Sequence, residues 1–309
     1  MEKKMLWLGI MVVVVGLCSS GALAAVLGPP AAGLDAGQFR VGVDISSSQT
    51  GIDLKVEETA RVSWKIKSPK DSGTEIGDLD KFRFDDAIQS EMMFANIGYG
   101  IVDKLEVYLL VGVSDLGFGD EADYHGLDQD FANSDELAYG FGVKGTIFEE
   151  DKLKFGALFQ MTWASFDGDL DLDSVSVDRE GTWDKEGFYE NFYEVPGTYD
   201  IDYYQIKIAV GPTYKLTDTI TIYGGPFYQL MDGNLDMERS RTYKDEWFDE
   251  TFYDSATVSE DTSIDISERS RYGIYFGAQI NCSENLPLCI ECQTSNETYV
   301  VGASLAYKF

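Results

Sequence analysis

The chain has 309 residues and carries 54 acidic against 24 basic side chains, a net charge of −30. So acidic a chain offers no basic face for phosphate, which excludes nucleic acid as a partner. Four cysteines are too few for a disulfide scaffold, and 44% hydrophobic with 13% aromatic residues excludes a disordered chain.

The first element is a targeting segment. Lys3 and Lys4 precede the apolar run Met5–Leu17, and small residues stand at Ala22 and Ala24. This is the pattern of a secretory signal over residues 1–24, cut after Ala24. The apolar run is too short to cross about 30 Å of hydrocarbon as a helix. Leu17 ahead of Cys18 argues against a lipoprotein signal. A short N-terminal segment, 25–37, then leads into one domain, 38–309. No later stretch is long and apolar enough for a membrane helix.

From Phe39 onward the apolar period is two, the signature of strands. Phe39, Val41, Val43 and Ile45 alternate with Arg40, Gly42, Asp44 and Ser46. The pattern returns over 93–101, 105–113, 137–147, 153–163, 204–210, 220–231, 272–280, 287–293 and 299–309, which predicts ten strands. Strands of roughly 9–11 residues match a tilted bilayer crossing. In several of them one face is unbroken apolar and the other mixes small residues with single charges, which suits a crowded, wet barrel interior. The two faces of 220–231 stay unassigned. Arg40, Asp44, Glu106, Lys144, Lys154, Lys207 and Lys308 are expected inside, pairing with one another, with Tyr108 and Tyr275 narrowing the lumen.

Connections are expected to alternate. Short turns fall at 102–104, 149–151, 215–218 and 282–286. Long loops fall at 49–90, 116–135, 166–199 and 233–268, with a tight one at 295–297. All long loops then leave the same end. The expected fold is all-β: an up-and-down antiparallel transmembrane β-barrel of about ten strands, with long external loops and short periplasmic turns.

The last strand, Tyr299–Phe309, puts an aromatic or apolar residue at every second position and ends on Phe. It resembles the C-terminal signal of bacterial outer-membrane β-barrel proteins. Asn96–Val107 and Ala209–Asp218 are similar to strand–turn–strand units of the porin-like, OmpA-like barrel superfamily. The resemblance implies export to the cell outer membrane, contact with outer-membrane lipid, and recognition of the strand ending at Phe309 by the barrel-assembly machinery. It speaks for architecture and not for activity, since such barrels include pores, adhesins, enzymes and anchors.

Most of the acidic residues fall in the predicted loops. Asp167, Asp169, Asp171 and Asp173 alternate and would line one side of an extended strand, a candidate contact for divalent cations, although the EF-hand spacing is absent. The default reading of such charge is a solvated face. Residues 183–193 and 244–253 are both acidic and aromatic, a texture suited to a binding surface or to packing between loops. The single histidine, His125, sits among acids that any loop here would supply. No G-x-S-x-G, phosphate loop or zinc pair is present. The sequence therefore names no catalytic, cofactor-binding or metal-ligating residue, and no enzyme is expected. Once the signal is removed, Cys282, Cys289 and Cys292 remain. Cys282 and Cys289 flank the last turn and are candidates for a bridge, with the pairing open. The expected function is a monomeric structural barrel or narrow porin-like channel with an acidic extracellular cap. The alternative is a surface binding or adhesion protein whose acidic-aromatic loops capture cations, glycans or a partner.

Overall fold

The computed structural model describes residues 25–65, 72–118, 136–170, 179–183, 186–247 and 255–309, with side chains over 25–57, 59, 88–115, 136–167, 197–238 and 261–309. The described residues form twelve strands and no helix. These are β1 (Phe39–Lys65), β2 (Ser72–Val102), β3 (Leu105–Phe118), β4 (Glu136–Glu150), β5 (Leu153–Leu170), β6 (Arg179–Trp183), β7 (Glu186–Lys215), β8 (Ile220–Trp247), β9 (Ser255–Glu268), β10 (Tyr272–Ser283), β11 (Leu286–Ser295) and β12 (Thr298–Lys308).

Ten of them close a ring at the base. The order is β1, β2, β3, β4, β5, β7, β8, β10, β11, β12 and back to β1. The closing seam runs from Arg40 opposite Lys308 to Thr50 opposite Thr298. All pairs are antiparallel, so no strand at the base keeps an unpaired edge, which hydrocarbon would penalise by several kcal/mol per backbone group. The short turns at 103–104, 151–152, 216–219 and 284–285 share one end. β9 and β10 are two halves of one descending run, both paired to β8 and interrupted at 269–271. β6 adds to β7 alone.

The outer face of the base is an apolar belt. Phe39, Val41 and Val43, Ile97 and Ile101, Leu109 and Val111, Ile208, Ile274 and Phe276 all stand exposed on it. In water so continuous an apolar surface would be an aggregation hazard; in lipid it is the required exterior.

Above the belt the two faces exchange chemistry while strand parity holds. On β1, Asp44 and Ser46 point inward below, whereas Ile52, Leu54 and Val56 are buried inside above. The outward residues change from Val41 and Val43 to Lys55 and Glu57. β7 makes the same exchange: Ile208 faces out below, Asp200 and Asp202 face out above, and Ile201 and Tyr203 lie within. On β8, Leu235 and Met237 point in while Asp232 and Asp236 point out, and β9 matches with Ile264 and Ile266 inside. The solvent outside is lipid below and water above, so the apolar face must change sides.

This corrects the sequence-based expectation of long loops. β1 and β2 pair from Phe39 opposite Tyr99 up to Lys65 opposite Ser72, across most of the predicted loop 49–90. β7 and β8 pair up to Phe188 opposite Trp247. β1, β2, β7 and β8 span 27, 31, 30 and 28 residues. On the described upper parts of β1, β7 and β8 the outward faces carry Lys55, Glu57, Asp200, Asp202, Asp232 and Asp236, the reverse of the apolar outward face at the base. The expected wet interior is corrected too, because it holds only in the lower part; the projecting cap has a dry core.

The ring also narrows. Between β8 and β1 stand β10, β11 and β12 at the base, but only β9 above. The β11–β12 hairpin turns at 296–297, and β9 then pairs directly with β1 from Ile52 opposite Glu268 to Lys65 opposite Ser255. Gly51 marks the switch. Its N–H donates to the Glu297 carbonyl at 2.8 Å, and its carbonyl accepts from the Arg269 N–H at 3.0 Å. A Cβ at Gly51 would stand 2.8 Å from the Glu297 Cβ, so a larger residue there would have to push the hairpin tip aside.

Candidate functional site: the filled lumen and the acidic outer face

Residues 25–36 enter the barrel at its short-turn end and run up inside it. Ala25, Val26, Leu27, Ala31, Ala32 and Leu34 are all buried. The segment carries almost no side-chain polarity, so its backbone must find partners on the wall. The Leu27 and Gly28 N–H groups donate to the two oxygens of Glu291 at 3.0 and 2.8 Å. Ala32 N–H donates to Thr146 Oγ1 at 3.1 Å, and Gly33 N–H to Glu106 Oε2 at 2.9 Å. Lys308 Nζ donates to the Gly33 carbonyl at 2.7 Å, and Gln293 Nε2 to the Ala25 carbonyl at 3.2 Å. The wall is cut away to receive it: a Cβ on Gly156 would stand 2.5 Å from the Ala31 backbone. Gly28 turns at φ +69°, in the left-handed region that glycine adopts freely. The sequence marked 25–37 only as a short segment ahead of the barrel. Nothing in its composition announces a plug, because its partners come from four distant strands, β3, β4, β11 and β12.

The expected inward charges all point inward, and they form a network with this segment. Arg40 pairs with Glu106 at 2.7 Å and donates to Asn96 Oδ1 at 3.3 Å, and Asn96 Nδ2 donates to Asp44 at 2.7 Å. Lys144 lies under Gly28 with its ammonium 5.2 Å from the centre of the Tyr108 ring, a cation–π contact. Lys207 Nζ donates to Gln293 Oε1 at 2.6 Å. Lys154 sits nearer the mouth and pairs with Glu149 at 3.0 Å. A cavity of about 250 Å³ remains beside the segment, lined by Arg40, Asp44, Glu106, Lys144, Cys289 and Lys308 among others.

Two further layers fill the lumen above. The first is polar: Gln160, Lys207 and Gln229 stand directly opposite one another on β5, β7 and β8. Tyr108 OH donates to Gln160 at 2.8 Å, and Gln229 Nε2 to Thr298 at 3.2 Å. The second is apolar and continuous, built from Ile52, Leu54, Phe94, Leu110, Phe166, Ile201, Leu235 and Ile264 with their neighbours, and Ala25 belongs to the same cluster. Tyr108 and Tyr275, expected to narrow the lumen, are both buried in it.

The outer face of the cap is acidic. Asp167 stands opposite Asp200 on the neighbouring strand, and Asp200 opposite Asp236 on the next, so three carboxylates form a row across three strands. Partial burial and the neighbouring Asp202, Asp167 and Asp236 push the Asp200 carboxyl above its ordinary range. A raised acid is neutral in both states below its unfolded pKa and costs stability once pH exceeds the folded one. Relief of like charges across strands is worth roughly 0.2–1 kcal/mol. Asp200→Asn should therefore stabilise the cap by that order at neutral pH and low salt. The gain should vanish below about pH 4, where the unfolded carboxyl is also neutral. Denaturant titrations of the refolded protein at two pH values check this; an equal gain at both would remove charge as the cause.

The remaining sequence candidates scatter. Among the described residues, no group of three or more His, Cys, Asp or Glu could hold a metal ion. Asp167 faces out as the alternation required, while Asp171, Asp173 and His125 lie outside the described residues, as does the side chain of Asp169. The two acidic-aromatic stretches lie largely on strands: Trp183 ends β6, 186–193 belong to β7, and 244–247 to β8, while 248–253 lie outside the described residues. Cys282, Cys289 and Cys292 are free thiols. The Cys282–Cys289 bridge does not form, because Cys289 faces the lumen and Cys282 the outside. Three positions along a strand separate opposite faces, so Cys289 and Cys292 also point apart.

No protein-family model and no curated protein matches the chain. Solved structures do superpose over most of their length. The outer membrane protease OmpT from Escherichia coli covers 93% of this chain and 99% of its own, at 13% identity and a TM-score of 0.37. The COG4313 outer membrane channel from Pseudomonas putida F1 covers 93% and 100%, at 10% identity and 0.32. The attachment invasion locus protein Ail of Yersinia pestis covers 89% and 99%, at 11% and 0.24. These scores carry no argument, and the architecture stands on the chain's own closed ring, apolar belt and charged lower lumen: the fold is an antiparallel β-barrel with a membrane-type exterior.

Proposed function

We propose that the protein is a sealed structural barrel that holds an acidic, solvated cap above the outer membrane. The observation that supports this is the stacked filling of the lumen by segment 25–36, a polar layer and an apolar core. Ten strands enclose little more than their own side chains, and aqueous channels need about 16. The reading includes a leader removed after Ala24, delivery to the membrane through the strand ending at Phe309, a monomeric state and no catalytic role. The cap's carboxylates act as solvated charge that keeps the projecting strands from associating. Planar-bilayer recording on the refolded mature protein tests it. A silent membrane is expected, and reproducible conductance steps would return the protein to the channel class.

A further inference from the structure

We propose that the lower lumen is a binding site for a phosphate-class oxyanion, reached from the short-turn end and centred on Lys144. The cavity beside segment 25–36 is lined by six basic side chains, Arg40, Lys144, Lys152, Lys154, Lys215 and Lys308, against three acids, Asp44, Glu106 and Asp151. In a chain of net charge −30 this is a local reversal of sign. The lining extends from the exposed turn residues Asp151 and Lys152 to the buried Lys144, which joins the site to the short-turn end. At about 250 Å³ it has room for a tetrahedral ion with some of its water.

Most of these cations already have partners. Arg40 holds Glu106, Lys308 holds the Gly33 carbonyl, and at the rim Lys154 and Lys215 hold Glu149 and Asp218. Lys144 is different. It is 5% exposed, and among the described residues no acceptor lies within hydrogen-bond distance of its ammonium. Its cross-strand neighbour Glu106 gives its two oxygens to Arg40 and the Gly33 N–H. Glu291 gives its own to the Leu27 and Gly28 N–H groups. The Tyr108 ring remains, and a ring face replaces only part of the hydration that a buried ammonium gives up. Nearer the turns, the Thr213 hydroxyl is also buried without a partner. Unused donors around one charged cavity suit an oxyanion, which accepts from several of them at once. Asp44 opposes such a ligand. One of its oxygens is tied to Asn96 and the other has no partner, so it weakens the site without filling it.

The test is equilibrium dialysis of radiolabelled inorganic phosphate against the barrel purified in detergent, with ionic strength held constant by chloride. One saturable site per barrel is expected. Lys144→Met should weaken it about tenfold or more, the loss of one charge-assisted contact. Asp44→Asn can still accept from Asn96, and it should tighten binding a few-fold because a like charge leaves the cavity. Damage to the fold cannot produce that gain, so this variant decides the matter if Lys144→Met forms no barrel by heat-modifiable gel mobility. Competition with glycerophosphoethanolamine, a soluble phosphodiester, separates two sources of the same chemistry. Weaker binding than phosphate assigns the site to a free ion, and tighter binding to a lipid headgroup. Absence of any site with a Kd of about 1 mM or tighter would overturn the proposal. So would an affinity that neither Lys144→Met nor Asp44→Asn moves, or a site that Lys152→Ala removes and Lys144→Met leaves intact, since surface lysines would then be the binders.

Discussion

Glu106→Ala should destabilise the refolded barrel by about 3–5 kcal/mol, the cost of leaving one member of a buried ion pair alone. Glu106 is fully buried and holds Arg40 at 2.7 Å on one oxygen and the Gly33 N–H at 2.9 Å on the other. Removing it strands the Arg40 guanidinium in the lumen and unties the lower end of segment 25–36. Urea unfolding in detergent measures the loss. The double variant Arg40→Met, Glu106→Leu separates the two causes. With both charges replaced by apolar groups of similar size, most of the loss should be recovered, because no buried charge is then left unpaired. A single variant that costs under 1 kcal/mol would mean that water reaches Arg40 freely. A double variant as damaged as the single one would show that the tie to Gly33 carries the effect.

Deleting Phe309 should empty the outer membrane of the protein while leaving it able to fold in detergent. A terminal residue normally frays and tolerates loss. Here the Phe309 N–H donates to the Phe39 carbonyl at 2.9 Å, one bond beyond the seam that joins β12 to β1. One such bond is worth about 0.5–1.5 kcal/mol, a mild loss for a closed ring. The ring of Phe309 packs edge-on against Tyr307, 4.9 Å between centres, and 69% of the residue is exposed on the outer side. The mature chain should accumulate in the periplasm as degraded or aggregated material, measured by fractionation and immunoblotting. Normal outer-membrane levels would refute the role as a signal. Equal failure in detergent would assign the residue to strand closure alone.

The sequence by itself determined the base of the barrel. Period-two alternation at Phe39–Ile45, Leu105–Val113 and Tyr299–Phe309 set which residues meet lipid, since side chains on a strand have no choice but to alternate. The same alternation placed Arg40, Asp44, Glu106, Lys144, Lys207 and Lys308 inside before any partner was known. Even the cap was latent in it: Ile52, Leu54 and Val56 alternate as regularly as Val41 and Val43, with the opposite face apolar. What alternation cannot say is which solvent lies outside, so 49–65 looked like loop until pairing with β2 and β9 put Ile52 in a core. Three features belong to the tertiary structure alone. The narrowing at Gly51 arises where a hairpin ends and β9, more than 200 residues away, takes its place on β1. The plug exists only because Glu106, Thr146 and Glu291 converge on a segment with almost no side-chain polarity of its own. Cys282 and Cys289 lie close in sequence yet face opposite solvents. Local pattern fixes the face that a residue shows; only ring closure decides what that face meets.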